Sequence, residues 1–438
     1  MSTLVTSSDV RAVAGRLWRL PVVDVVRGAT FVGALLLCWI SLHPFADLGN
    51  QQLNDTTTGN ETMTYLAFGC VGALALILAL RDGLQGLSTL LTPSFALFGA
   101  WIVASVLLSQ DPGTSVRRLA LTACVIAVTA AIMLLPKSQH ELMRWFSTAA
   151  LVLLAVCYLG ILLVPDLSTH LVTDAQETQL AGDWRGVFGH KNMAAGIMAM
   201  LVFIGIYAVR SGAWLSGLTI VLLAFVFLLN TAGKSSLALT LVVLALTSLT
   251  GLIRPFWLRA GMLLTPLLML NLFSVGTVMV DGLAEIAEKL PLDTSFTGRT
   301  DIWTFAVQSL KLRLATGYGF AAFWGTDAIR NLPEGKEWAE YASHSHNGYL
   351  DTALAMGLPG LALLVTALVI VPLRNFQVAE RGGNGGPLLL LLLQIWLFGL
   401  YLSALESFFL DRSDPLWFTF LLAVFGLHYL GRFRLRDR

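Results

Sequence analysis

Apolar residues recur along the chain in blocks of about 17 to 25 from Phe31 to the C terminus, each long enough to cross about 30 Å of hydrocarbon as a helix. Runs of charged residues, Gly, Pro and Asn separate the blocks. Read between those polar boundaries, spans fall at 28–47, 63–80, 87–108, 119–135, 146–165 and 193–209, then at 214–230, 237–253, 260–280, 347–372, 387–405 and 416–430. The pattern predicts an all-α polytopic membrane protein of about twelve transmembrane helices.

Composition sharpens this. Of 438 residues, 56% are apolar and 13% charged, against roughly 25% charged in an ordinary soluble domain. Lys and Arg number 28 and Asp and Glu 27, so no charge excess points to nucleic acid as a partner. Cys38, Cys70, Cys124 and Cys157 all fall inside apolar blocks without metal-ligand spacing, and read as small hydrophobes. No small-x-small cleavage site follows the first block, so it is expected to be an anchored span rather than a cleaved signal.

The basic residues sort the loops. Sixteen of the 28 Lys and Arg lie on one side, from Arg11 and Arg27 through Lys137 and Arg259 to Arg438, which makes that side cytoplasmic with both termini inside. The opposite side holds 21 of the 27 acidic residues and two long loops, 166–192 and 281–346. Loops of this length in a compact protein are functional or disordered, and Trp184, Trp303, Trp324 and Trp338 argue against disorder. The expected organisation is therefore a cytoplasmic segment 1–27, helices one to nine over 28–280 with the loop near 166–192, a large outer loop over 281–346 with short amphipathic helices, helices ten to twelve over 347–430, and a cytoplasmic tail 431–438. No internal repeat is visible.

Three segments of these loops could carry chemistry. Gly182-Asp183-Trp184-Arg185-Gly186-Val187-Phe188-Gly189-His190-Lys191-Asn192 precedes the sixth span. Its glycines allow close backbone approach, Arg185 offers a planar fork for phosphate oxygens, and Lys191 sits at a helix N terminus, where N–H groups favour anions. A Gly-rich turn with interfacial Trp and Lys anchors fits the same residues. Thr297-Gly298-Arg299-Thr300-Asp301-Ile302-Trp303 opens a stretch with Ile302, Phe305, Ala306 and Leu310 on one face, the pattern of an amphipathic helix at the membrane interface, with Arg299 just before its first turn. Arg299 could equally pair with Asp301 or a lipid phosphate.

The third segment is Ser343-His344-Ser345-His346-Asn347-Gly348-Tyr349-Leu350-Asp351, leading to Gly357-Leu358-Pro359-Gly360. A helix starting near Ser345 would put His346 above Ala353 and Gly357, with the helix's positive end favouring a neutral imidazole suited to general-base work. His344 and Asp351 are secondary candidates. A metal site on the two histidines would have Asp351 as its one candidate third ligand at suitable spacing, and no metal or cofactor is expected. Lys234 and the pair Arg117 and Arg118 lie on the outer side against the charge trend, and anionic lipid head groups are their simplest partners. Lys234 follows Gly233 in a string like the end of a phosphate loop, but the upstream glycine is missing.

In their order, these segments resemble the O-antigen ligase and exopolysaccharide (Wzy-type, ExoQ-like) polymerase superfamily of integral-membrane glycosyltransferases. The resemblance rests on Arg185-Gly186-x-Phe188-Gly189-His190-Lys191-Asn192, on Gly298-Arg299-Thr300-Asp301-x-Trp303, and on His346-Asn347 followed by Gly357-Leu358. It implies a GT-C-like bundle in the bacterial inner membrane, with a periplasmic site that transfers a glycan from an undecaprenyl-diphosphate-linked saccharide to a hydroxyl, metal-independent and with inversion. Arg185 and Arg299 would match arginines that bind the diphosphate, and His346 the catalytic base or acceptor-orienting histidine. Lys191 is added as a diphosphate ligand from its place at the helix start. The full Phe-Gly-His-Lys-Asn string favours the polymerase branch. Ligation to a lipid A-core acceptor is the alternative, and other polysaccharide-assembly proteins are candidate partners. A transporter or flippase is less favoured, because ionisable residues lie near span ends (Asp351, Glu406, His428) and not at the midplane.

Overall fold

A computed structural model describes residues 22–48, 58–174, 178–289, 299–326, 329 and 342–435. Among these the secondary structure is helical, apart from a single β-bridge between Thr169 and Trp184. The long helices are α1 (Val22–Ile40), α2 (Thr58–Arg81), α3 (Pro93–Leu107), α4 (Pro112–Ile132), α5 (Gln139–Leu163), α6 (Lys191–Arg210), α7 (Trp214–Asn230), α8 (Lys234–Leu249) and α9 (Phe256–Phe273). Then come α10 (Asp281–Glu288), α11 (Arg299–Leu312), α12 (Gly348–Val365), α13 (Pro387–Leu402) and α14 (Pro415–Leu430).

Each apolar block predicted as a span overlaps one of these helices. Among the described residues, seven helical stretches are long and apolar enough to cross a membrane, and five apolar helices, α3, α7, α8, α13 and α14, have 15 to 17 residues. At 1.5 Å per residue those five are about 22 to 26 Å long, short of about 30 Å of hydrocarbon. The protein is thus a helical polytopic membrane protein, with seven helices of crossing length among the described residues.

Several helices begin earlier than the apolar pattern indicates. α4 starts at Pro112, where the Asp111 carboxylate accepts from the Thr114 N–H, and α5 starts at Gln139, where the Ser138 hydroxyl accepts from the Glu141 N–H. Side-chain caps satisfy free N–H groups and extend each helix through polar turns that hydropathy ignores. α12 runs on through two wide-turn segments, so helical backbone extends from Gly348 to Asn384. It is broken at Gly357, whose φ is 68°. There the loop after α11 docks on it: Leu358 N–H donates to Leu314 O, and Tyr318 N–H and Gly319 N–H donate to Leu354 O and Ala355 O.

The bundle is organised around α6, α13 and α14, which are buried on nearly every face. Apolar helices of that kind belong in the interior of the bundle. α6 and α7 form a hairpin closed by small residues. A Cβ on Gly217 would lie 2.7 Å from Gly205 O, so only glycine permits this backbone approach. The stretch expected as an interfacial amphipathic helix is α11, and it is more deeply packed than expected. Trp303, Phe305, Ala306, Val307 and Leu310 are buried in a small core shared with Phe323, Trp324, Leu350 and Leu354.

Candidate active site

The geometry starts from how α12 meets the end of α13. Gly348 N–H donates to Ser403 O at 2.7 Å, Asn347 Nδ2 donates to Ala404 O at 3.0 Å, and the Tyr349 hydroxyl donates to Leu400 O at 3.0 Å. Asn347 is also the N-cap of α12, its side-chain oxygen accepting from Tyr349 N–H and Leu350 N–H. This corrects the expected start near Ser345. His346 stands before the helix, not on its face, and its φ of 56° is left-handed.

A non-glycine residue in that region is strained and must be held by its surroundings. The supports are visible. Ser345 N–H donates to the Asp351 carboxylate (3.1 and 3.2 Å), Trp303 Nε1 donates to Ser345 O at 2.9 Å, and His346 N–H donates to His344 Nδ1 at 3.3 Å. Asp351 also accepts from Trp324 Nε1 at 2.8 Å. It builds the turn that presents the two histidines, whose rings meet edge to face at 4.2 Å.

The docking of α12 on α13 brings Glu406, four residues past the end of α13, against that turn. Its carboxylate binds three segments at once: His346 Nδ1 lies 3.2 Å from Oε2, while Arg299 Nη2 at 3.0 Å and Asn192 Nδ2 at 2.9 Å donate to Oε1. Burial alone would push this carboxyl up. The hydrogen bond with His346 and the positive charge of Arg299, with smaller contributions from the two histidines, bring it down to about 2. An ionised carboxylate only accepts, so Nδ1 of His346 carries a hydrogen and Nε2 is left as the basic nitrogen. The second histidine is pushed toward the neutral form, first by burial and then by His346.

Arg299 also donates to Leu405 O at 2.6 Å. Two of its nitrogens are thus engaged while its side chain stays 18% exposed. Asn192 belongs to the start of α6, where the His190 cap accepts from Asn192 N–H at 3.1 Å. Lys191 reaches Asp183 at 2.6 Å, and its N–H donates to His170 Nε2 at 3.2 Å.

Arg185 is placed differently. It is 1% exposed, and its guanidinium donates to Thr169 O, Phe188 O and Ala46 O at 3.3, 3.1 and 2.6 Å. It ties the loop before α6 to the segment after α1. Arg118 donates to Ala321 O, and Arg117 reaches Thr114 Oγ1 at 3.2 Å. Lys234 is exposed at the first residue of α8. None of these three touches Glu406. Thr297 and Gly298 lie outside the described residues.

Of the expected site residues, then, Arg299 and His346 share one carboxylate, with Asn192 from the first motif beside them. The sequence reading missed Glu406 as the hub. Its only signal was a single carboxylate just past an apolar block, which reads as an ordinary boundary charge.

Residues 218–365 match the family described as O-antigen ligase. The match takes in Arg299, His344 and His346, and leaves Arg185, Asn192 and Glu406 outside. A curated relative, the exopolysaccharide production protein ExoQ of Rhizobium meliloti, is 27% identical over 103 residues, covering 22% of this chain and 23% of that protein. The family to which these residues point is that of the O-antigen ligases and ExoQ. Its resemblance, drawn from the Arg185, Arg299 and His346 segments, is borne out by both matches. In this chain, similar over those residues to the O-antigen ligase family, three sequence segments and one unanticipated carboxylate converge.

Proposed function

We propose that the protein is a periplasmic-face glycosyltransferase of the bacterial inner membrane that polymerises saccharide repeat units carried on undecaprenyl diphosphate. The observation that carries the reading is Glu406 joining Arg299, His346 and Asn192. A fixed carboxylate orients the imidazole so that Nε2 can take a proton, and it holds a partly exposed guanidinium beside it. Those are the two needs of glycosyl transfer from a diphosphate: a base for the acceptor hydroxyl and a fixed cation for the leaving group.

In the step itself, the acceptor hydroxyl oxygen attacks the anomeric carbon of the donor. The new C–O bond forms as the bond to the diphosphate oxygen breaks, the hydroxyl proton passes to His346 Nε2, and the electron pair leaves with the lipid diphosphate. Attack opposite the leaving group inverts the anomeric carbon. Arg299 would bind the diphosphate, with Lys191 as a neighbouring cation. Arg185, committed to three carbonyls, acts by fixing the loop that delivers Asn192; a direct contact with diphosphate would require it to release one of them. The cations of the chain take the charge that a metal would otherwise neutralise.

Two names in the comparisons pull in different directions. The relative named for exopolysaccharide production supports a polymer-forming role, and the family description supports transfer of finished O-antigen to lipid A-core, the alternative reading. The test uses purified protein in detergent with lipid-linked repeat units and a chelator. A ladder of products from wild type that disappears in His346→Ala is expected. Transfer only after lipid A-core is added would move the reading to a ligase, and no transfer under either condition would sink both.

A further inference from the structure

Beside the histidine pair lies a cavity of about 390 Å³ whose lining includes neither Arg299 nor Glu406. His344 lines it, whereas His346 does not. Its volume is in the range of small-molecule sites, about 300 to 1,000 Å³. The wall is mixed: Phe323, Trp324 and Phe409 supply aromatic faces, and Asp351, Asp411, Arg118 and Arg412 supply two negative and two positive charges. With a neutral His344 the formal charges cancel, in contrast to the cationic setting a diphosphate needs. Ser407, also in the wall, has a buried hydroxyl with no hydrogen-bond partner among the described residues. A buried hydroxyl left unpaired calls for an explanation.

A balanced set of donors and acceptors between aromatic faces suits a polyhydroxylated ring. Carboxylates accept from hydroxyls, guanidinium groups donate to them, and aromatic faces cover the apolar C–H surface of the ring. We propose that this cavity holds the saccharide of the acceptor, its attacking hydroxyl reaching past His344 toward Nε2 of His346, whose ring lies 4.2 Å away, while Arg299 faces the donor diphosphate. The inference rests on the glycosyl-transfer reading above. It adds a location for the second substrate, and it makes His344, with Trp324, a determinant of acceptor choice.

The test separates saccharide from diphosphate. Repeat units accumulated on the lipid in cells lacking the protein are released by mild acid, and the tritiated oligosaccharide, now without diphosphate, is bound to purified protein by equilibrium dialysis. Two variants block the cavity: Ala355→Phe from its floor, and Ser343→Trp at its exposed rim, where packing of the bundle is untouched. Binding is expected to weaken at least about tenfold in both, and to be unchanged in Arg299→Ala, because the probe carries no phosphate. No binding by wild type, equal binding by both cavity variants, or a loss in Arg299→Ala as large as in the cavity variants would each overturn the proposal. A transfer assay on the same preparations keeps the two readings apart. Wild type that transfers but binds the oligosaccharide independently of the cavity sinks this proposal alone, and wild type that binds but never transfers sinks the glycosyltransferase reading and the acceptor role with it.

Discussion

Two arginines, at opposite ends of the bundle, show how one residue type serves the fold in one place and is available for chemistry in another. Arg259, near the start of α9, is 1% exposed and has all three nitrogens committed. Nε donates to Ile253 O at 2.8 Å, Nη1 to Gln377 and Glu380 at 3.1 and 2.6 Å, and Nη2 to Thr250 O and Glu380 at 2.7 and 3.3 Å, while the group lies over the Phe376 ring. Arg299 has one carbonyl and one carboxylate oxygen and keeps part of its surface open. A saturated guanidinium can only hold what it already holds. A half-used one, steadied by a carboxylate that has other ties, can receive an anion without moving. Arg185 stands between them, as buried as Arg259, with its guanidinium on three carbonyls.

The largest effect should come from the base. His346→Ala is expected to lower the transfer rate about 10²- to 10⁴-fold, far more than the modest drop in unfolding midpoint in detergent that follows when Glu406 loses one of its three ties. Rates of wild type and variant at matched protein concentration decide it. Unchanged rates would remove His346 from the reaction and leave the Glu406 cluster a purely structural tie.

Much of this contrast could be read in the sequence, and part could not. The positions of the apolar helices follow from hydropathy, since burial in lipid and burial in protein select the same residues. For the same reason the sequence did not reveal that α6, α13 and α14 form the buried centre. His346 and Arg299 stood out as polar residues in glycine-bearing segments of long loops. Asp351 was visible as a candidate, but a carboxylate four residues into a helix gives no sign that it folds back to the N–H of Ser345. Glu406 was hidden by sequence distance: it lies 60 residues from His346, 107 from Arg299 and 214 from Asn192. Only the docking of α12 on the end of α13 brings them together.

Glu406 itself gives the next test, through pH. Its folded carboxyl is held at about 2 against an ordinary 4.5. The unfolded chain therefore takes up the proton first as pH falls, and the stabilisation is fully present above about 4.5 and lost on the way down to about 2. The amount at neutral pH is roughly 2 to 4 kcal/mol. Thermal unfolding from pH 6 to pH 3 should show a steeper loss in wild type than in Glu406→Gln. Equal slopes would mean that the carboxylate is not held by His346 and Arg299 in the folded protein.

Next comes the exchange of the two arginines. Arg259→Ala leaves Glu380 and two carbonyls without their donor, and should cost roughly 2 kcal/mol of stability, since Glu380 is 35% exposed and partly screened. Activity per folded molecule should not change. Arg299→Ala should weaken donor affinity by about 1.5 to 3 kcal/mol of charge-assisted bonding, and it should also lower the unfolding midpoint, because Glu406 loses its cation. Paired measurements of unfolding and donor KM separate the two. Loss of activity without loss of stability in Arg259→Ala would erase the distinction between a saturated and a half-used guanidinium.

The smallest effect belongs to Asn192, and it asks whether Glu406 is a hub or a simple pair. Asn192→Ala removes one of three donors to the carboxylate. Arg299 and His346 remain bonded to it, and water can replace a partly exposed amide. About 1 kcal/mol, or roughly a fivefold drop in kcat/KM, is expected. Because Asn192 ties the start of α6 to the end of α13, its loss should loosen the orientation of Glu406 and so act on kcat more than on KM. If the drop instead equals that of His346→Ala, then Asn192 meets a substrate directly, and the Glu406 cluster is built to present the amide as well as the imidazole.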